Sequence, residues 1–200
     1  MTQGSYALAR VAVIVRAPVR RLWALGAVSA GTGALVPGLT GRRVGLAAGA
    51  ALFVLAAAAA FLARRRRYAE LARGASRAGR SVFLQDRAVT VRNWARARRW
   101  WLAAAFLAAI GSSFAAPATA GLALAGAGTG LWAKALWLGR LERGSEALLW
   151  VRTERAQGSP AAGGVRGYLT TGLGAGDALP GGAKRPGGTS RGRAPVSAAR

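Results

Sequence analysis

Residues 44–63 read VGLAAGAALFVLAAAAAFLA, and the four that follow are Arg64, Arg65, Arg66 and Arg67. Twenty residues in a row without a charge make about 30 Å of helix, the thickness of the hydrocarbon core of a bilayer. A helix lying on a soluble core needs a polar face, and this one is apolar all round. It reads as a transmembrane helix closed by a charged stop. Working outward, residues 22–40, 100–116 and 118–139 are apolar stretches of comparable length. The predicted fold class is an all-α integral membrane protein with four transmembrane helices, arranged as two tandem hairpins at 22–63 and 100–139.

Around the hairpins the polar segments fall into four pieces: an N-terminal segment 1–21, a basic linker 64–99, a juxtamembrane helix 140–155 and a tail 156–200. Leu141, Leu148 and Trp150 are expected to rest that juxtamembrane helix on the membrane interface. The tail is dominated by Gly, Ala, Pro, Ser and Arg. It offers too little apolar surface to offset its ordering entropy, so it is expected to be disordered. A competing reading makes the first span a secretory signal, with Arg20 and Arg21 ahead of it and Val28-Ser29-Ala30 as the cleavage site. The long leading segment and the continuation of the apolar run to Leu39 favour retention.

A net charge of +23 in 200 residues suggests a nucleic-acid binder when taken alone, but its distribution points elsewhere. Arg10, Arg16, Arg20 and Arg21 precede the first span, twelve arginines fill the linker, and Arg140, Arg143, Arg152 and Arg155 follow the fourth span. Only Arg42 and Arg43 lie between the first and second spans, and none between the third and fourth. Twenty arginines on one side against two on the other orient the chain by the positive-inside rule, with both termini and the linker cytoplasmic. Trp23, Trp100, Trp101 and Trp137 sit near the same ends of their spans and are expected to anchor at the headgroups. Lys134, the one charge inside a span, is expected to snorkel to that interface as a further anchor.

The hairpins also resemble each other at an offset of 76 to 80 residues. Arg20-Arg21-Leu22-Trp23 parallels Arg98-Arg99-Trp100-Trp101, Pro37 parallels Pro117, and Gly45-Leu46-Ala47 parallels Gly121-Leu122-Ala123. Such a match suggests a parallel internal repeat. Gly45 with Gly49, and Gly126 with Gly130, form GxxxG pairs whose flat faces let two helix backbones approach, within the chain or between copies.

Catalytic chemistry is thinly supplied. Histidine and cysteine are absent and the six acids are Glu70, Asp86, Glu142, Glu146, Glu154 and Asp177, all outside the spans. No nucleophile–base pair, metal cluster, phosphate loop or intramembrane carboxylate can be assembled from them. No cofactor is expected. The linker arginines Arg64, Arg65, Arg66, Arg67, Arg96, Arg98 and Arg99 are the candidate contacts for lipid or another polyanion. The leading expectation is a non-enzymatic multi-pass protein of the bacterial cytoplasmic membrane, an accessory or assembly subunit whose arginine-rich linker docks anionic lipid or a partner. Its partners are then membrane lipids and a second copy or another membrane protein. The alternatives are a membrane component of DNA transfer, as in conjugative plasmid spread, with nucleic acid held by linker and tail, and a small holin-like pore.

Overall fold

The computed structural model describes residues 7–36, 38–79, 82–156 and 159–175, with the backbone of 178–179 and 183–184. Pro37, the half of the repeat match opposite Pro117, and the tail arginines Arg185, Arg191 and Arg193 lie outside the described residues. In chain order the elements are β1 (Ala7–Arg10), α1 (Val11–Arg16), α2 (Val19–Leu35), α3 (Arg42–Leu62), α4 (Arg65–Arg73), β2 (Ser76–Arg77), β3 (Phe83–Leu84), α5 (Arg87–Ser112) and α6 (Thr119–Gly144). Then come β4 (Ala147–Arg152), α7 (Thr153–Ala156), β5 (Leu169–Gly172) and a separate pair, β6 (Ala178–Leu179) with β7 (Ala183–Lys184).

The chain is mostly helical, but it is not all-α. Strands β2-β5-β4-β1-β3 form one mixed, half-barrel sheet. The pairs β1/β4 and β4/β5 are antiparallel, while β1/β3 and β2/β5 are parallel. The sheet draws its strands from the N-terminal segment, the linker, the expected juxtamembrane helix and the expected tail. It corrects two of those expectations: part of the juxtamembrane helix 140–155 is a strand, and the start of the tail is ordered. The helical stretch after the fourth span ends at Gly144, and Glu146 takes a left-handed conformation at φ 48°. Ala-Leu-Leu-Trp-Val-Arg then runs extended as β4. Its register sets Leu8 opposite Arg152, Ala9 opposite Val151 and Arg10 opposite Trp150.

The burial of β4 explains why helix loses to strand here. Leu148, Leu149, Trp150 and Val151 are all buried, alternately toward two different clusters. Leu149 and Val151 join Ala9, Val11, Ala12, Val15 and Leu138 beneath the helices, whereas Leu148 and Trp150 meet Leu8 on the far side of the sheet. A strand covered on both faces reads as an unbroken apolar run, which carries no helix or strand periodicity of its own. Residues 159–168 cover the first cluster with Ala161, Val165 and Tyr168, so the start of the expected tail is part of the core.

Beyond the sheet, α2, α3, α5 and α6 form a helical bundle in which α6 is central, packed along α3 on one side and α2 on the other. The hairpin tips meet at the end remote from the sheet, where the amides of Leu39 and Thr40 donate to the carbonyls of Phe114 and Ala115 at 3.1 and 3.2 Å. One helix among the described residues, within Arg42–Arg73, is long and apolar enough to cross a membrane by length and composition. Only 6% of its apolar window is buried within the molecule. Four such helices are not what the structure displays. α2 has 17 residues, α5 carries five arginines in its first half, and α6 is diluted by glycine and Lys134.

Candidate functional site

The polar chemistry collects where the bundle meets the sheet. Its deepest element is an ion pair linking the first strand to the last turns of α6. Arg10 donates from Nε to Oε1 of Glu142 at 3.3 Å and from Nη2 to Oε2 at 3.0 Å, with the two side chains 4% and 0% exposed. The amide of Leu149 also donates to Glu142 Oε1, at 3.3 Å, so the carboxylate ties α6 to both β1 and β4. This fork makes Arg10 part of the core.

The arginine block after α3 is divided by a turn. Ala63 caps α3, Arg64 sits at φ 56°, and α4 leaves in a new direction. Arg64 Nη1 donates to the carbonyl of Ala161 at 3.3 Å, and Arg67 Nη2 donates to those of Ala162, Gly163 and Val165 at 3.0 to 3.4 Å. Both guanidiniums thereby pin residues 161–165 over the core. Arg65 lies over the rings of Phe61 and Trp137, 4.8 and 4.9 Å from their centroids. Cation–π contact of this kind holds a charge at the edge of an apolar surface. Arg66 lines an open cavity of about 630 Å³ with Arg64, Arg67, Arg166 and Glu70.

Lys134 differs from the expected snorkelling anchor. It is 4% exposed and points inward, donating from Nζ to the carbonyl of Ala63 at 2.8 Å beneath the ring of Tyr68. The carbonyls that end a helix lack intrahelical donors and carry its negative dipole, so the end of α3 is a ready acceptor for an ammonium group. Beside it, burial pushes the phenol of Tyr68 up to about 12, against smaller opposing effects of a hydrogen bond with Ser159 and the charge of Arg64. Tyr168, whose hydroxyl donates to the carbonyl of Pro160 at 3.1 Å, is pushed up further by burial.

On the opposite side of the bundle α2 and α5 leave a groove of about 600 Å³. Arg21 and three residues spaced one helical turn apart, Arg92, Arg96 and Arg99, line one end of it. Leu25, Leu102, Ala103 and Phe106 line the other. Arg98 is half-buried and is not part of those walls. Near the start of α5, burial and the neighbouring charges of Arg16, Arg10 and Arg20 hold Arg87 below the usual guanidinium range, with Asp86 opposing.

The tryptophans and glycines fall on distinct surfaces. Trp100 and Trp101 are about three-quarters exposed on α5, with the Arg99 guanidinium 5.4 Å from the Trp100 ring centroid. Trp23 donates from Nε1 to Thr129 Oγ1 at 3.1 Å and lies against Trp132, so it is partly engaged between α2 and α6. Gly126 and Gly130 face the backbones of Phe53 and Ala57 on α3, and Gly45 and Gly49 face Pro117, Thr119 and Leu122. Those four glycines therefore lie at one intramolecular helix contact.

Sequence reasoning counted Arg21 and Arg92 toward orientation and linker charge without making them site residues, and did not pair Arg10 with Glu142. The i, i+4, i+7 spacing of Arg92, Arg96 and Arg99, continued by Leu102 and Phe106, was a readable sign of one basic-to-apolar helix face. Comparison with protein-family models, curated proteins and solved structures finds no match to this chain.

Proposed function

We propose that the chain is a non-enzymatic, multi-pass protein of a bacterial cytoplasmic membrane, in which α2, α3, α5 and α6 all lie in the bilayer and the sheet lies on its cytoplasmic side. The observation that carries this reading is the outward surface of the bundle. Val44, Val54, Leu55, Leu62, Trp100, Trp101 and Leu107 all face away from the protein, an apolar surface that water solvates poorly and lipid solvates well. The shortfall of α2 and α5 in length and apolarity is met by their context. α5 emerges from a basic first half, and its Arg96 and Arg99 sit at the level where anionic headgroups attract guanidinium groups. The reading makes the protein an accessory or assembly subunit that holds anionic lipid or a partner on its basic cytoplasmic rim.

Flotation with preformed and reconstituted vesicles tests this. Reconstituted protein is expected to float with the vesicles after a high-salt and alkaline wash. Protein removed by that wash would overturn membrane integration. Within integrated protein, tighter retention of acidic than of zwitterionic lipid is expected. Equal retention of the two, alongside steeply salt-dependent capture of duplex DNA, would shift the reading to DNA transfer. That alternative draws less support from the arginines after α3, because Arg64 and Arg67 already hold the carbonyls of 161–165.

A further inference from the structure

The groove between α2 and α5 combines features that a plain solvated basic face lacks. Arg21, Arg92, Arg96 and Arg99 converge on it from two helices, and no acidic side chain among the described residues lines it. The basic end passes directly into an apolar one. Both helices run away from the sheet, so the step from Arg99 to Phe106, about 10 Å at helical rise, leads from the headgroup level into the bundle's lipid-facing depth.

From this geometry we infer that the groove is a binding site for one anionic phospholipid of the cytoplasmic leaflet. Its phosphodiester sits among Arg21, Arg92, Arg96 and Arg99, and one acyl chain lies along Leu25, Leu102 and Phe106. The inference rests on the membrane reading proposed above and narrows its lipid contact to one place, away from the arginine block after α3. Charge-assisted bonds to a phosphodiester are among the strongest a guanidinium makes. A nucleic-acid strand would use the arginines and make no use of the apolar half of the groove. A phospholipid uses both halves.

The full chain, reconstituted in nanodiscs of equal parts phosphatidylglycerol and phosphatidylcholine and released into mild detergent, is examined by native mass spectrometry. One phosphatidylglycerol is expected to stay with each chain in preference to phosphatidylcholine. The pair Arg21→Gln and Arg96→Gln is expected to lower its retention by about tenfold or more, the loss of one or two charge-assisted bonds. Leu102→Trp, which keeps every charge but fills the apolar half, is expected to lower it as well, while Arg140→Gln on the exposed side of α6 leaves it unchanged. Equal retention of both lipids by protein that resists alkaline washing overturns the groove assignment and leaves the membrane reading standing. Protein that never resists that wash removes the membrane reading itself. Displacement of the lipid by a short DNA duplex, or retention untouched by Leu102→Trp, also overturns the lipid assignment.

Discussion

At the scale of single residues, the strongest constraint is the carboxylate of Glu142, which satisfies a buried guanidinium and a strand amide at once. Removing one partner of such a pair leaves an uncompensated charge in a poorly solvated place, at a cost of about 3–5 kcal/mol. Glu142→Gln is therefore expected to lower the unfolding midpoint in detergent steeply. The double change Arg10→Met with Glu142→Leu is expected to be milder than either single loss. The buried phenols set a second expectation. Tyr68 ionises near 10 in an unfolded chain and at about 12 in the folded one, so the unfolded state gives up its proton first as pH rises. The stabilisation is whole below pH 10 and is lost progressively toward pH 12. Alkaline titration followed by tyrosinate absorbance and circular dichroism together checks this, and Tyr68→Phe is expected to move the loss to higher pH. Neither residue was legible in sequence: Glu142 looked like one of several scattered acids, because its partner lies 132 positions away.

Among the elements, α6 decides the architecture, since its glycines let α2 and α3 approach to backbone contact. An added methyl group at Gly126 would collide with the carbonyl of Phe53, and one at Gly130 with that of Ala57. Gly126→Ala is expected to cost about 1–3 kcal/mol through overpacking, read as a lower thermal midpoint, whereas Gly111→Ala, with open space around it, is expected to be near neutral. Small residues one turn apart were visible in the sequence, and so was α3, expected at 44–63 and found at Arg42–Leu62, whereas α5 begins at Arg87, well before the expected 100. What stayed hidden is the sheet. Its strands are two to six residues long, and the longest, Ala147–Arg152, is buried on both faces and comes soon after Gly144, a helix-ending glycine that the reading of 140–155 as one helix ran through. Its neighbours come from opposite ends of the chain, so pairing could be found only in three dimensions. The segment 159–168 is held on this sheet by Arg64 and Arg67. Arg67→Gln is expected to open it to limited proteolysis while the bundle stays protected.

For the whole molecule, the division is between a folded basic cap and a bundle with an apolar exterior. Reading the four apolar stretches as helices captured the bundle; reading everything else as surface or tail missed that those segments together bury a core. The central claim is that all four bundle helices cross the bilayer with the cap inside. Because the chain has no cysteine, single cysteines report topology without background. Leu39→Cys places a thiol at a hairpin tip where the side chain is 93% exposed, and Gly172→Cys places one at the end of β5. A membrane-impermeant maleimide applied to intact cells expressing each variant is the most direct measurement. Labelling at position 39 but not at 172, with 172 becoming reactive once the membrane is permeabilised, is the predicted result; labelling of 172 in intact cells, or protection of 39 until permeabilisation, would contradict it.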